Sequence, residues 1–221
     1  EAVHKANHPP KLFRRLNHMV SLCRQELMGK TNVTIVNVEE MAMYDAIAKA
    51  ANWFRETDRG VVAAPPPKDV ARDMLEVVSE RLGRLDSVAF SPLFDTDGGL
   101  LAAPGYYPHA GLWIEIPTDF PVDDIPEAPT TEQVAEARRI LLEELLVDFP
   151  FVDQSDRAQA VGAILLPFVR RMVQGCTPIH LIEAPTEGSG KGYVCHAISI
   201  LATGRESDPR VLSQDDNEAR K

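Results

Sequence analysis

Hydrophobic positions recur at helical spacing in two stretches of the first half of the chain. Apolar residues return every three or four positions over residues 37–54 and again over residues 68–82. This spacing predicts two amphipathic helices, each with one face in a hydrophobic core. Asn37 is placed to cap the first helix, with Glu40 three residues further on as its capping-box partner.

The part of the chain before the first predicted helix has a less regular pattern. In residues 1–10, His4 and His8 are four apart and could share a metal on a helix, but Pro9-Pro10 argues against a helix there. The prediction is a flexible arm. Residues 11–34 contain scattered apolar positions that fit either a strand pair or one helical turn, and the pattern does not separate the two.

The spacing shortens between residues 85 and 117. Short apolar runs are divided by Asp97-Gly98-Gly99 and by Pro104-Gly105, which predicts a small antiparallel β unit with hairpin turns. Asp95 and Asp97 could bind a metal, but aspartates beside a glycine turn are more typical of turn formation.

Residues 118–129 show no periodicity and are rich in Asp, Glu and Pro, as in a linker. Helical spacing then returns over residues 130–147 and 155–174, and Thr130 with Gln133 resembles a capping box. No internal repeat is visible.

One stretch in the last third carries a chemical motif. The apolar run 179–182 leads into Pro185-Thr186-Glu187-Gly188-Ser189-Gly190-Lys191-Gly192, and the apolar run 193–202 predicts a helix after it. Strand, loop and helix are the context in which a Gly-Lys pair forms a phosphate-binding loop. Backbone N–H groups of residues 188–191 can point into one hollow, and the helix N-terminus adds partial positive charge. Lys191 would reach the β- and γ-phosphates of a nucleotide as a point charge.

The loop departs from the usual pattern at two positions. Pro185 replaces the first glycine, where a donor is not required. Gly192 replaces the Ser or Thr whose hydroxyl normally binds Mg²⁺, and a water could take its place. An ordinary glycine-rich turn is the alternative interpretation, and the flanking pattern favours the phosphate loop. The candidate nucleotide-binding residues are Gly188, Ser189, Gly190, Lys191 and Gly192.

These patterns together predict an α+β protein of 221 residues. A small mixed domain of helices and antiparallel sheet precedes the linker, and a helical segment leads into an incomplete P-loop α/β core. The predicted parts are an accessory domain at 1–117, an acidic proline-rich linker at 118–129, and the helical segment with the start of the core at 130–221.

Composition and charge indicate in which compartment the protein acts and which partners it can bind. No apolar run approaches the roughly 20 residues that cross a bilayer, and Cys23, Cys176 and Cys195 lack metal-ligand spacing, so reduced thiols in a cytoplasm are expected. The net charge of −10 does not suggest a protein coated with nucleic acid. Residues 1–30 nevertheless carry six Lys and Arg against two Glu, which makes a DNA contact possible there, although such stretches are often only solvated.

From Thr130 onward the order of helices, loop and helix resembles the ATP-binding proteins of phages and integrated elements. These carry an AAA+ or superfamily 3-like helicase core, often joined to a primase. Their loops can have the sequence Ala-Pro-Thr-Pro-Gly-x-Gly-Lys-Gly. This form has the same residues as this chain at Pro185 and Gly192, but it has proline at the position of Glu187. The prolines at 65–67 and the Pro104-Gly105-Tyr106 stretch are similar to the accessory region before such cores.

The resemblance implies an oligomeric motor on DNA that uses ATP and Mg²⁺. Hydrolysis would also need an acidic residue after a second core strand, a γ-phosphate sensor and an arginine from a neighbour, and the sequence offers none of these. Both ends of the chain look cut from something longer, so an N-terminal fragment that is inactive alone is expected. A non-catalytic partner-binding or DNA-binding adaptor with a vestigial anion loop is the second hypothesis. A small-molecule kinase is the third, disfavoured because about 180 residues precede the loop.

Overall fold

The computed structural model describes residues 2–27, 30–77, 80–116, 126–186 and 188–206. Helices and several small antiparallel or mixed sheets make up these residues, so the predicted α+β class is confirmed. None of the described helices is long and apolar enough to cross a bilayer.

The chain divides into two compact units. One unit contains Glu1–Ala89 and Pro104–Glu115, and the other contains Phe90–Ala103 and Ile116–Lys221. Residues 90–103 therefore belong with the later part of the chain, an arrangement that the order of sequence patterns did not reveal. The predicted linker at 118–129 lies mostly outside the described residues, and the predicted domain limits stay predictions.

Three strands form an antiparallel sheet in the first unit. Strand β1 (Leu12–Arg15) pairs with β2 (His18–Leu27), which pairs with β3 (Lys30–Asn37). The sequence pattern of residues 11–34 fitted either a strand pair or one helical turn, and the structure forms strands there. Phe13 and Val20 face each other across β1 and β2 and are buried in a cluster with Leu85. Met19, whose side chain points to the opposite face, is buried in another cluster, so both faces of this sheet carry buried residues.

Three helices accompany the sheet: α1 (Ala2–Ala6), α2 (Glu40–Ala50) and α3 (Lys68–Glu76). Met43 and Ile47 of α2 pack with Ala71 of α3 in one buried cluster. The predicted flexible arm is wrong for residues 2–6, which are helical.

The predicted limits of α2 and α3 need correction. Asn37 does not cap α2, because it is the last residue of β3, and Glu39 occupies the N-cap without a side-chain hydrogen bond. Phe54 was expected on the buried face of the same helix, but it begins a hairpin strand and is 63% exposed. Helix α3 ends at Glu76, six residues before the predicted Leu82.

The first unit also contains two smaller sheets. Strands β4 (Phe54–Thr57) and β5 (Gly60–Ala63) form an exposed hairpin. Strand β6 (Ser87–Ala89) runs parallel to β10 (Leu112–Ile114), which pairs antiparallel with β9 (Gly105–Tyr107). The predicted antiparallel unit over residues 85–117 therefore contains one parallel pair. The long connection between β6 and β10 permits the crossover that a parallel pair requires.

The second unit begins with the hairpin β7 (Leu93–Phe94) and β8 (Leu100–Leu101). Gly99 N–H donates to Asp97 Oδ1 at 3.1 Å, which confirms Asp97 as a turn-forming residue. Asp95 instead accepts from Arg171 Nε at 3.1 Å, and its residue exposure is only 6%. The two aspartates therefore do not share a metal site among the described residues.

Three helices and a π-helical turn follow among the described residues of the second unit. Helix α4 (Thr131–Arg139) starts with the predicted capping box of Thr130 and Gln133 and continues into a π-helical turn at Ile140–Leu145. Next come α5 and α6, at Gln154–Val169 and Lys191–Thr203.

Helix α5 is shorter than the predicted 155–174, since its last residue is Val169. Its buried face, with Ala160 and Ile164, packs with Leu146 of the segment before it. This packing holds α5 in the unit that carries the loop.

Candidate functional site

The segment leading into the loop, residues 176–184, is called the extended segment here because the exposure of its side chains alternates. Residues 176–184 belong to no strand or helix in the described structure, so the predicted strand at 179–182 is wrong. Ile179 and Leu181 are 96% and 80% exposed, whereas His180 and Ile182 are partly buried. The alternation is that of a strand, but without a neighbouring strand to supply ladder hydrogen bonds none is formed.

The helix predicted after the loop is confirmed, since Lys191 is the first residue of α6. Gly188 and Gly190 adopt φ values of 73° and 89°, in the left-handed region that glycine enters without steric cost. Gly190 is the N-cap residue of α6. Both glycines are therefore needed where the chain turns from the extended segment into the helix.

The loop encloses open space, with unpaired donors at its edge. A Cβ atom built on Gly188, Gly190 or Gly192 meets no other atom within 4 Å. Among the described residues, no backbone acceptor pairs with the N–H groups of Gly188, Gly190, Lys191 or Gly192. First-turn N–H groups have no intrahelical partner, so they remain available to an external acceptor.

Lys191 contributes the positive charge. Its Nζ lies 3.3 Å from the carbonyl oxygen of Thr186, five residues back across the loop. No described carboxylate forms an ion pair with it. The ammonium group is thus held over the loop by a neutral acceptor, and its charge is not cancelled by a described partner.

These groups line a hollow of about 460 Å³, bordered by residues 188–193 and His196. The Ser189 Oγ atom is buried there without a hydrogen-bond partner among the described residues. An ammonium group, backbone N–H donors and a hydroxyl around one hollow suit an oxyanion. Of the predicted site residues, all five lie on this hollow.

A protein-held Mg²⁺ does not fit the same residues. Gly192 has no side chain, and the described residues contain no group of three His, Cys, Asp or Glu that could hold a metal ion. Mg²⁺ takes oxygen ligands and keeps several waters. It would therefore have to arrive with the phosphates themselves.

The histidine pair considered from the sequence is not assembled. Helix α1 ends at Ala6, so His4 and His8 do not share a helix. Cys23, Cys176 and Cys195 are free thiols.

The basic N-terminal residues have different surroundings. Lys11 and Arg15 are exposed near β1. Arg24 instead pairs with Glu115 at 3.1 Å and lies over the Trp113 ring. Arg24 is thus exposed like the other two, but a described carboxylate offsets its charge.

Sequence reasoning missed one feature beside the loop. His180 Nε2 is buried and has no hydrogen-bond partner among the described residues. The period-two alternation of residues 179–182 was the available signal, because it places His180 on the side opposite Ile179 and Leu181.

Comparison with protein-family models, curated proteins and solved structures finds no match for this chain. Function is therefore argued from the geometry of residues 178–196.

Proposed function

We propose that residues 188–192 bind the phosphates of a nucleoside triphosphate, with ATP as the leading ligand. The observation that carries the proposal is the open loop at the start of α6. Two left-handed glycines turn the chain there, N–H groups without a described acceptor border the hollow, and Lys191 supplies an ammonium group. A helix N-terminus preceded by such a loop favours phosphate by both hydrogen bonding and charge.

We further propose that the protein is the N-terminal part of a helicase or primase-helicase of a phage or integrated element, acting in the cytoplasm as a homo-oligomer. The support is the sequence resemblance, together with the loop geometry. The chemistry proposed for the described residues is phosphate binding: Gly188, Ser189 and Gly190 cradle oxygens, and Lys191 neutralises charge. Hydrolysis would require groups that we assign to no described residue.

A Lys191→Ala variant tests the nucleotide role. A charge-assisted hydrogen bond contributes about 1.5–3 kcal/mol, so we expect ATP affinity to fall by about 10-fold to 100-fold. Calorimetric titration of MgATP into both proteins measures the change. Lys49→Ala is the matched control, because Lys49 is an exposed lysine of α2 paired only on the surface with Asp45. Equal affinity of wild type and Lys191→Ala would remove the nucleotide role.

The β4–β5 hairpin favours a second candidate function, an adaptor that binds a protein partner. Phe54 and Val61 are 63% and 68% exposed on this hairpin. A two-stranded sheet with its apolar side chains in water gains little stability by itself. The register places Phe54 and Val61 on the same face as diagonal neighbours, and adjacent exposed apolar side chains of this kind are typical of contact surfaces. Under this alternative the loop would hold an anion without a motor function.

A further inference from the structure

A second cavity lies beside the phosphate loop in the same unit. It has a volume of about 550 Å³ and is bordered by the start of α5, the extended segment 178–183 and the first turn of α6. This volume falls within the range of small-molecule pockets. Its apolar wall includes Phe151, Ile182 and Val194.

Shared lining residues relate the second cavity to the loop hollow. A third cavity, of about 680 Å³, shares Leu181, Ile182 and Glu183 with the second cavity and shares Lys191 with the loop hollow. Val194, which lines the second cavity, stands only three residues after Lys191 on α6, less than one helical turn. One elongated ligand could therefore occupy both the loop hollow and the second cavity.

His180 gives the second cavity an unpaired polar atom. Its Nε2 is buried and unpartnered among the described residues, and His180 lines the cavity. A buried polar atom without a partner is costly, so a group that completes its hydrogen bond is favoured there. Gln159 of α5, whose amide can both donate and accept, lines the same cavity.

The charges of the two hollows are opposite. Asp156 and Glu183 line the second cavity, which has no lysine or arginine in its described lining. The described lining of the loop hollow contains Lys191 and no carboxylate. A polyphosphate is therefore repelled by the second cavity and attracted to the loop, while an uncharged ring with amino groups suits the apolar walls and carboxylate acceptors.

We propose that the second cavity binds the base of the nucleoside triphosphate whose phosphates lie on residues 188–192, with His180 Nε2 hydrogen-bonded to the ring edge. The inference rests on the proposed function, because the phosphate loop fixes the other end of the ligand. His180 then determines how strongly the base, and not the phosphate chain, contributes to affinity.

Two ligands separate the base from the phosphates. MgATP and magnesium tripolyphosphate are titrated calorimetrically into wild type, His180→Ala and the matched control His18→Ala, whose histidine is exposed in β2. We expect wild type to bind ATP more tightly than tripolyphosphate. We expect His180→Ala to weaken ATP by about fivefold or more while leaving tripolyphosphate unchanged, since one hydrogen bond contributes about 1 kcal/mol.

Retained tripolyphosphate binding in His180→Ala also shows that the loop is still folded. Equal affinities of wild type for both ligands, unchanged ATP affinity in His180→Ala, or equal loss of both ligands in that variant would each overturn the base site. If wild type binds neither ligand, the phosphate loop itself is the part that fails. The two proposals therefore have different signatures.

Discussion

Gly190 and Gly192 differ in backbone conformation although both border the loop hollow. Gly190 has φ 89°, whereas Gly192 lies within the first turn of α6, and a Cβ atom on either would meet nothing within 4 Å. Space is therefore not what distinguishes them. The left-handed conformation costs a non-glycine residue about 1–2 kcal/mol, whereas a helical position favours alanine over glycine by roughly 0.5–1 kcal/mol.

This contrast gives a prediction at the residue scale. We expect Gly190→Ala to weaken ATP binding by about fivefold to 30-fold, because the loop must strain or shift to hold its N–H groups in place. Gly192→Ala should keep the affinity of wild type and raise the melting temperature slightly. Calorimetric titration and thermal unfolding of both variants measure this. Similar losses of affinity in the two would show that the left-handed turn is not what the ligand requires.

At the scale of single elements, the N-terminus of α5 depends on one carboxylate. Asp153 Oδ1 accepts N–H bonds from Asp156 and Ser155 at 3.0 and 2.8 Å. The Asp156 N–H bond is the main cause that lowers the pKa of Asp153, with Ser155 contributing next. A lowered pKa means that the ionised carboxylate is bound more favourably in the folded state than in the unfolded chain.

We expect Asp153→Ala to lower the melting temperature at pH 7 more than the control variant Asp148→Ala does. Asp148 is exposed and lies outside any helix. The stabilisation by Asp153 is present above its unfolded pKa of about 3.9 and is lost as the pH falls through its lower folded pKa. The difference between wild type and Asp153→Ala should therefore shrink towards pH 2–3. Thermal unfolding across this pH range tests the sign, and a constant difference would rule out the charged cap.

Features that depend on neighbouring residues, such as helix caps, could be predicted from the sequence. The pairing of strands distant in the chain could not. The Thr130 capping box and the helix after Lys191 depend on residues within four positions of each other, and both were predicted. Residues 179–182 have the alternation of a strand, but a strand also needs a partner that local pattern cannot supply. The five loop residues could be predicted because one motif contains them, whereas the cavity around His180 combines α5, the extended segment and α6.

At the scale of a whole unit, the hairpin of residues 93–101 and the end of α5 are joined by Asp95 and Arg171. The side-chain exposures are 8% for Asp95 and 25% for Arg171, and 76 residues separate them in the chain. Removing one partner of a buried pair leaves a charge that water does not fully reach. The pair therefore links two parts of the second unit whose association no local pattern predicts.

We expect Arg171→Ala to lower the free energy of unfolding by roughly 2–4 kcal/mol, somewhat less than for a fully buried pair because a quarter of the arginine is exposed. Arg138→Ala, at an exposed position of α4, should change it by less than about 0.5 kcal/mol. Urea unfolding of the three proteins gives both values. Equal stability of Arg171→Ala and wild type would show that the pair contributes nothing to the unit.

Over the whole molecule, a net charge of −10 opposes DNA binding, so any contact must come from a local basic face. Lys11 and Arg15 are exposed near β1, whereas Arg24 is paired with Glu115.

If Lys11 and Arg15 contact phosphates, the logarithm of the affinity for labelled duplex DNA should fall linearly with the logarithm of the salt concentration. The double variant Lys11→Ala/Arg15→Ala should then reduce that slope by about 2, since each phosphate contact contributes roughly 0.9. Lys49→Ala should leave the slope unchanged. Fluorescence anisotropy at several salt concentrations measures these slopes, and absence of binding at low salt would favour the adaptor over the motor.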